Sequence, residues 1–241
     1  MFLSTVTLDD QLIAAIKHLA DTLPLEQNYT WEMPNDLPLQ IPEDVVGAFR
    51  RNVYLKENLA PLLQNDEDLE VHYWIIREWG GIRSFQRSEL NNQRISEFRD
   101  QLRRKRLRRS TFNLISSLSK LAAFWDPQQY SIYDSRAVFA LNWLIFCHSS
   151  DRRIFPQPLG RSSAISQFDT GTLFRLSGIH FAERNWKTAY HEYCELLRKL
   201  SREALGQERP YWLEMLLFVA APRTILEDIQ KNTTVTIKIS A

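Results

Sequence analysis

Apolar residues recur at helical spacing along most of the chain, and the most apolar stretch lies near its middle. From Ala137 to Cys147 only Asn142 is not apolar. A helix that is apolar on every face is buried in a core or in a membrane, and this run is too short for a bilayer, which needs about 20 apolar residues. The pattern therefore predicts a buried central helix over about 134–147, surrounded by a compact multi-helix domain.

The residues at the start of this helix have a structural explanation of their own. Asp134 and Ser135 stand where helices favour Asp and Ser, because their side-chain oxygens accept hydrogen bonds from the first backbone N–H groups. The positive end of the helix dipole also favours a carboxylate there. A capping role therefore accounts for Asp134 without any function, and a functional role has to be argued from its neighbours.

Turn and cap residues divide the rest of the chain into further amphipathic helices. Thr7 is predicted to cap the first helix, Pro42 to open another, and the Gly80-Gly81 pair to end a helix over about 69–79. Later predictions are a helix over about 88–107, a long loop over 149–169, helices over about 183–204 and 210–221, a stop at Pro222, a last short helix capped by Thr224, and a tail over 233–241.

These elements predict an all-α fold with almost no sheet. Residues 1–232 are interpreted as one domain, and two helical lobes with a cleft near 80–135 are the alternative. Apolar residues make up 44% of the chain and the net charge is +1, so any attraction to a polyanion must come from local clustering. Cys147 and Cys194 have neither metal-ligand nor disulfide spacing, which predicts a reducing, cytoplasmic setting. We expect no cofactor, no metal and no membrane contact.

One charge run stands out, because eight of the sixteen residues from Arg94 to Arg109 are basic. Such a cluster is typical of phosphate binding. The alternatives are a solvated helix end and a surface for an acidic protein partner, since cations also favour a helix C-terminus. The nucleic-acid contacts predicted here are Arg99, Arg103, Arg104, Lys105, Arg106, Arg108 and Arg109.

Three further side chains are candidates for a binding pocket. Trp79 and Trp125 are predicted to line it, with Trp31 as another candidate for base stacking, although most tryptophans of the chain lie in apolar helical stripes. Glu214 is a lone carboxylate in the apolar helix YWLEMLLFVA. Because burying an unpaired carboxylate is unfavourable, Glu214 should either pair with an arginine or face a cleft.

Two segments resemble a known family. SLSKLAAF followed by IYDSRAVFALNWL is similar to the part of the helix-hairpin-helix DNA glycosylases in which a helix lysine precedes a catalytic aspartate that opens a buried helix. The similarity covers about 35 residues. Ser117 and Ser119 stand where the family has hairpin glycines, the spacing from Lys120 to Asp134 is shorter than usual, and no iron–sulfur cysteines follow.

The resemblance implies an enzyme that extrudes a modified base from DNA and excises it. Asp134 would stabilise positive charge on the sugar, and Lys120 would be the nucleophile of a lyase version or hold a phosphate. Ser117, Ser119 and Arg136 would contact the nucleic acid. A catalytically inactive nucleic-acid-binding module and a helical protein-interaction component of a multi-protein system are the alternative functions.

Overall fold

The computed structural model of the protein describes residues 9–160 and 163–234, and the side chains of all of these except 163 and 164. Most of this described part is helical, and its only strands are the two-residue β1 (Arg153–Ile154) and β2 (Ala182–Glu183), which pair in parallel. The all-α prediction is confirmed. No helix within the described ranges is long and apolar enough to cross a membrane.

The helices pack around one continuous core that runs from Leu12 to Ile229. Those of the first half are α1 (Asp10–Thr22), α2 (Leu25–Asn28), α3 (Ala48–Asn58), α4 (Ala60–Gln64), α5 (Glu70–Trp74) and α6 (Glu89–Arg103). Those of the second half are α7 (Arg109–Phe112), α8 (Ile115–Trp125), α9 (Ser135–His148), α10 (Ser163–Ser166), α11 (Thr170–Leu176), α12 (Trp186–Leu205), α13 (Pro210–Ala220) and α14 (Leu226–Asn232). Two π-helical turns, Ile75–Trp79 after α5 and Ala221–Ile225 between α13 and α14, extend these helices.

Helix α9 is the buried central helix that the apolar run predicts. Every residue from Ala137 to Phe146 is buried, and α9 packs against α1, α11 and α13. Its one polar residue in this run, Asn142, donates a hydrogen bond to the Phe155 carbonyl at 2.8 Å and accepts one from the Phe155 N–H at 2.7 Å. Asn142 is therefore a satisfied core residue, and it fixes the loop after α9 against the helix.

Several helix boundaries differ from the sequence prediction. Asp9 caps α1 through a hydrogen bond from the Gln11 N–H, while Thr7 lies outside the described residues. Helix α3 begins after Gly47, at φ 86°, and not at Pro42. Helix α6 starts after the cap Ser88 but ends at Arg103, because Lys105 takes a left-handed conformation with φ 52° that an α-helix cannot continue.

The last helices are also joined differently. Pro222 does not stop α13, and the predicted cap at Thr224 is wrong. A π-helical turn over Ala221–Ile225 carries the chain directly into α14. The wider turn accommodates a residue that lacks a backbone N–H, so the proline alters the helix without ending it. Residues 235–241 of the predicted tail lie outside the described part of the chain.

Candidate functional site

A large cavity opens beside the N-terminal end of α9. Its volume is about 1280 Å³, and both Lys120 and Asp134 line it. The other charged residues of its wall are Arg109, Arg136, Glu183, Arg184 and Glu214, and the aromatic ones are Tyr29, Trp31, Trp79, Phe112, Trp186 and Phe218. The chain thus brings the two residues of the family resemblance into one cavity with three arginines.

Lys120 reaches the cavity from α8 with most of its side chain buried. It is only 8% exposed, and its Nζ donates a hydrogen bond to the Ser116 carbonyl, one turn earlier, at 2.6 Å. Gly80 packs against its aliphatic stem: a methyl group at Gly80 would lie 2.6 Å from the Lys120 Cδ and 2.7 Å from its Cε. Gly80, the first of the two glycines that indicate a helix end in the sequence, therefore also makes room for the lysine.

Asp134 is the N-cap of α9, as predicted. Its Oδ1 accepts a hydrogen bond from the Ala137 N–H at 2.8 Å. Burial raises the pKa of the Asp134 carboxyl, and the Lys120 charge, the Ala137 N–H and the Arg136 charge act in the opposite direction. Lys120 is thus close enough to Asp134 to favour its ionised form in a setting that otherwise disfavours charge.

Glu214 reaches the same cavity from α13, and its partner is a lysine. Lys56 Nζ lies 3.3 Å from Glu214 Oε2, with the side chains 0% and 5% exposed. The Lys56 ammonium also lies 5.3 Å from the ring centroids of Trp79 and Phe124. Burial raises the pKa of Glu214, Lys56 opposes this, and the charge of Asp134 raises it further. The sequence indicated that a buried Glu214 needs a charged partner, for which an arginine was expected, but it did not identify Lys56 as that partner.

The aromatic candidates divide between the cavity and the core. Trp79 lines the cavity, where its Nε1 donates to Asn52 Oδ1 at 2.8 Å and its ring lies edge-on to Trp31 at 6.3 Å. The prediction for Trp125 is wrong, because this residue does not line the cavity. Its Nε1 donates to His72 Nε2 at 3.3 Å. Five residues beyond Lys120 on the same helix, a side chain is turned by about 140° and points away from the cavity.

The two serines of the resemblance also differ from each other. Ser117 lines the cavity, although it is only 8% exposed. Ser119 is fully buried, and its Oγ accepts a hydrogen bond from the Tyr133 N–H at 2.9 Å. The predicted nucleic-acid contact of Ser119 is therefore contradicted. Its hydroxyl instead ties α8 to the segment that leads into Asp134.

The basic run of α6 and α7 lies on the surface beside the cavity. All seven of its predicted contact residues are exposed, from Arg99 to Arg109. Arg109 lines the cavity itself and lies over the Trp186 ring at 5.4 Å. Arg108 pairs with Glu97 at 3.1 Å. The chain thus places exposed cations at the edge of the cavity that holds Lys120 and Asp134.

The loop after α9 forms another wall of the cavity through residues 156–160. The Tyr133 hydroxyl donates to the Pro156 carbonyl at 2.8 Å, and the Gln157 amide donates to the Ser135 carbonyl at 2.6 Å. These bonds attach the loop to the start of α9. Leu159 stays fully exposed at the rim.

Nothing outside the chain identifies this site. Comparisons with protein-family models, with curated proteins and with solved structures give no match. Among the described residues there is no cluster of three or more histidines, cysteines and carboxylates that could hold a metal ion. The chemistry of the cavity is therefore argued from the residues that line it.

Proposed function

We propose that this protein binds DNA and accepts an extruded nucleotide in the cavity, where Asp134 and Lys120 act on its glycosidic bond. The observation that carries the proposal is that Lys120 and Asp134 line one cavity together with Arg109 and Arg136. A carboxylate, an amine and guanidinium groups in one recess match a substrate with phosphate charge and a bond that breaks with positive charge on the sugar.

The size and the rim of the cavity support this choice of ligand. Its volume of about 1280 Å³ exceeds the ~300–1,000 Å³ of most small-molecule pockets, so it can hold a nucleotide together with part of its backbone. Trp31 lines the cavity and is only partly buried, so its ring offers aromatic surface on which a base can stack. Leu159 at the rim is an exposed apolar side chain, of the kind that fills the gap left in the base stack.

The chemistry assigned to Asp134 depends on its ionised form. When the base departs with the bonding electrons, positive charge develops on the sugar, and a nearby carboxylate stabilises it. Burial disfavours the charged carboxylate, while Lys120, Arg136 and the Ala137 N–H favour it. In a hydrolytic reaction, water then adds to the sugar and completes the cleavage.

Lys120 would act in the lyase version of the same reaction. Its unprotonated Nζ forms a bond to the anomeric carbon as the bond to the base breaks, and the base leaves with the electron pair and takes up a proton. The sugar ring then opens to an imine, which borohydride reduces to a stable amine. The adduct therefore reports directly on attack by this nitrogen.

The test uses duplexes that carry oxidised, alkylated or deaminated bases, with and without borohydride. Loss of a borohydride-stable adduct in Lys120→Gln supports the lyase version. Base release revealed by alkali and lost in Asp134→Asn supports the hydrolytic version. Asp169→Asn is the matched control, because Asp169 also caps a helix, α11, but lies outside the cavity. It should leave both reactions unchanged.

The second candidate is a DNA-binding module without catalysis. The hydrogen bond from Lys120 to the Ser116 carbonyl and the capping bond of Asp134 give both residues structural roles. If DNA binding persists while no base in the panel is released, excision is excluded and the binding module stands. Absence of DNA binding even at low salt would overturn both candidates.

A further inference from the structure

A second pocket lies beside the cavity, between the turn that joins α6 to α7 and the start of α12. Its volume is about 530 Å³. Its positively charged lining residues are Arg104, Arg106, Arg108, Arg109 and Lys187. Glu97 and Asp100 are its negatively charged ones, so five positive and two negative charges leave a net charge of +3. Such a balance favours an anionic ligand.

The two arginines at the turn are not neutralised by any carboxylate of the described part of the chain. Within residues 9–160 and 163–234, no carboxylate lies within ion-pair distance of the Arg104 or Arg106 guanidinium groups. Glu97 is already paired with Arg108, at 3.1 Å. Lys105, at φ 52°, turns the chain between the two arginines, and both line the pocket. They are available to a phosphate, which guanidinium groups bind in a bidentate manner.

Gln101 supplies an independent observation that points to a ligand. It lines the pocket and is 7% exposed, and its Oε1 accepts a hydrogen bond from the Arg108 N–H at 2.6 Å. That bond fixes which end of the amide is oxygen. The Nε2 at the other end is buried and has no hydrogen-bond partner in the described part of the chain. A buried donor without an acceptor is costly, and a ligand oxygen would satisfy it.

The second pocket also adjoins the cavity. Arg109 and Trp186 line both spaces, and the Arg109 guanidinium lies 5.4 Å from the centroid of the Trp186 ring. Lys187 Nζ lies on the same ring at 5.5 Å. A strand whose nucleotide entered the cavity would therefore have a neighbouring part of its backbone within reach of the second pocket.

We infer that the second pocket binds a backbone phosphate of the DNA strand next to the extruded nucleotide, through Arg104, Arg106 and Gln101. This inference rests on the proposed function for the position of the strand, but not for the phosphate chemistry of the pocket. A free phosphate ion has the same chemistry as the backbone group. The experiment below separates these two sources.

The first measurement is the salt dependence of duplex binding. Arg104→Gln/Arg106→Gln should reduce the slope of log K against log salt by about 0.9, because the two arginines hold one phosphate and each phosphate that the protein neutralises contributes about 0.9 to the slope. Lys17→Gln/Lys231→Gln removes the same charge from two exposed positions that line neither pocket, and should leave the slope unchanged. Equal slopes in the two double variants would overturn the inference.

Gln101→Glu provides a second variant, in which the new side chain has the same size and shape as the glutamine. It keeps an oxygen to accept from the Arg108 N–H and replaces the unpaired donor by a carboxylate oxygen that repels phosphate. It should weaken duplex binding, while Glu97→Gln, in the same pocket, should not weaken it. Unchanged affinity in a folded Gln101→Glu protein would count against the role of Gln101 and so against the pocket as assigned.

The second measurement locates the phosphate. A duplex with one abasic-site analogue is made with a neutral methylphosphonate at each flanking position in turn. At one flanking position the neutral linkage should lower the affinity of the unaltered protein and leave the affinity of Arg104→Gln/Arg106→Gln unchanged. If the methylphosphonate lowers the affinity of Arg104→Gln/Arg106→Gln as much as that of the unaltered protein at every position, the assignment to the strand beside the cavity is overturned.

The outcomes also separate this inference from the proposed function. If no base is released but the salt-slope and methylphosphonate results hold, excision is wrong and the phosphate pocket stands. If inorganic phosphate raises the melting temperature of the unaltered protein but not of Arg104→Gln/Arg106→Gln, while both have the same salt slope, the pocket takes a free ion and the backbone assignment is overturned.

Discussion

The buried ion pair between Lys56 and Glu214 predicts a large and asymmetric effect of substitution. The pair joins α3 to α13 across 158 positions of sequence, with the Lys56 side chain 0% exposed and that of Glu214 5% exposed. Glu214→Gln removes the carboxylate but leaves the ammonium buried against Trp79 and Phe124. The amide oxygen can still accept a hydrogen bond, but it does not neutralise the charge.

The magnitude follows from the burial of both partners. Removing one member of a buried pair costs about 3–5 kcal/mol, because the remaining charge has no compensation. At roughly 2–4 °C for each kcal/mol in a chain of this size, the melting temperature should fall by about 6–20 °C. Replacing both residues, as Lys56→Met/Glu214→Leu, should recover most of this loss, since well-packed apolar side chains often replace a buried pair at little cost.

Urea unfolding at pH 7 measures these free energies, and a surface pair provides the control. Glu195 and Lys199 on α12 are 2.9 Å apart, and their side chains are 38% and 32% exposed. Glu195→Gln should change the free energy of unfolding by only about 0.3–0.5 kcal/mol. A loss below about 1 kcal/mol in Glu214→Gln, or a double variant less stable than either single one, would refute the reasoning from burial.

Three further predictions use the same unfolding measurements. Asp134→Ala should lower the free energy of unfolding by about 1 kcal/mol, because α9 loses its N-cap, while Asp134→Asn should lower it little. Equal large losses in both variants would mean that the charge of Asp134 is itself paired in the structure. Gly80→Ala should cost about 1–3 kcal/mol, because its methyl group would lie 2.6 Å from the Lys120 Cδ and 2.8 Å from the Ile75 carbonyl oxygen; a fully stable variant would contradict that packing. Burial, and secondly the charge of Lys105, lowers the pKa of His191 from 6.5 to about 4. As the pH falls from about 6.5 towards 4, the His191 imidazole is protonated in the unfolded chain but not in the folded one, so the folded protein loses stability over this range. His191→Phe should remove up to about 3 kcal/mol of that acid dependence, and an unchanged pH profile would contradict it.

Much of the fold follows from local patterns in the sequence. The apolar run predicts the buried α9, and the cap Asp134 begins that helix as predicted, because capping depends on neighbouring backbone groups. Gly206 ends α12 at φ 62° for the same local reason. Pro222 shows the limit of such rules, since a π-helical turn in a packed helix accommodates what the sequence alone indicates as a stop.

The candidate site was harder to predict from the sequence than the fold, because its contacts join residues that are far apart in the chain. The sequence indicated that Glu214 needs a buried partner, but only the packing of α3 against α13 brings Lys56 to it. Ser119 and Trp125 lie on the same helix as Lys120, yet the rotation of the helix turns Ser119 into the core and packs the partly buried Trp125 against that core. Placing Lys120 and Asp134 in one cavity likewise required the long-range arrangement of α8, α9 and the loop after α9.

Entry of a nucleotide into the cavity can be measured by photocrosslinking. A duplex carrying 5-iodouracil at a mismatched position is irradiated with the protein, and the modified peptide is identified by mass spectrometry. The proposed function requires adducts on the cavity aromatics Trp31, Trp79 or Phe218, and their loss when an excess of duplex with an abasic-site analogue competes. Adducts confined to the exposed run from Arg99 to Arg109, with none on the cavity wall, would show that DNA binds the surface and that no nucleotide enters the cavity.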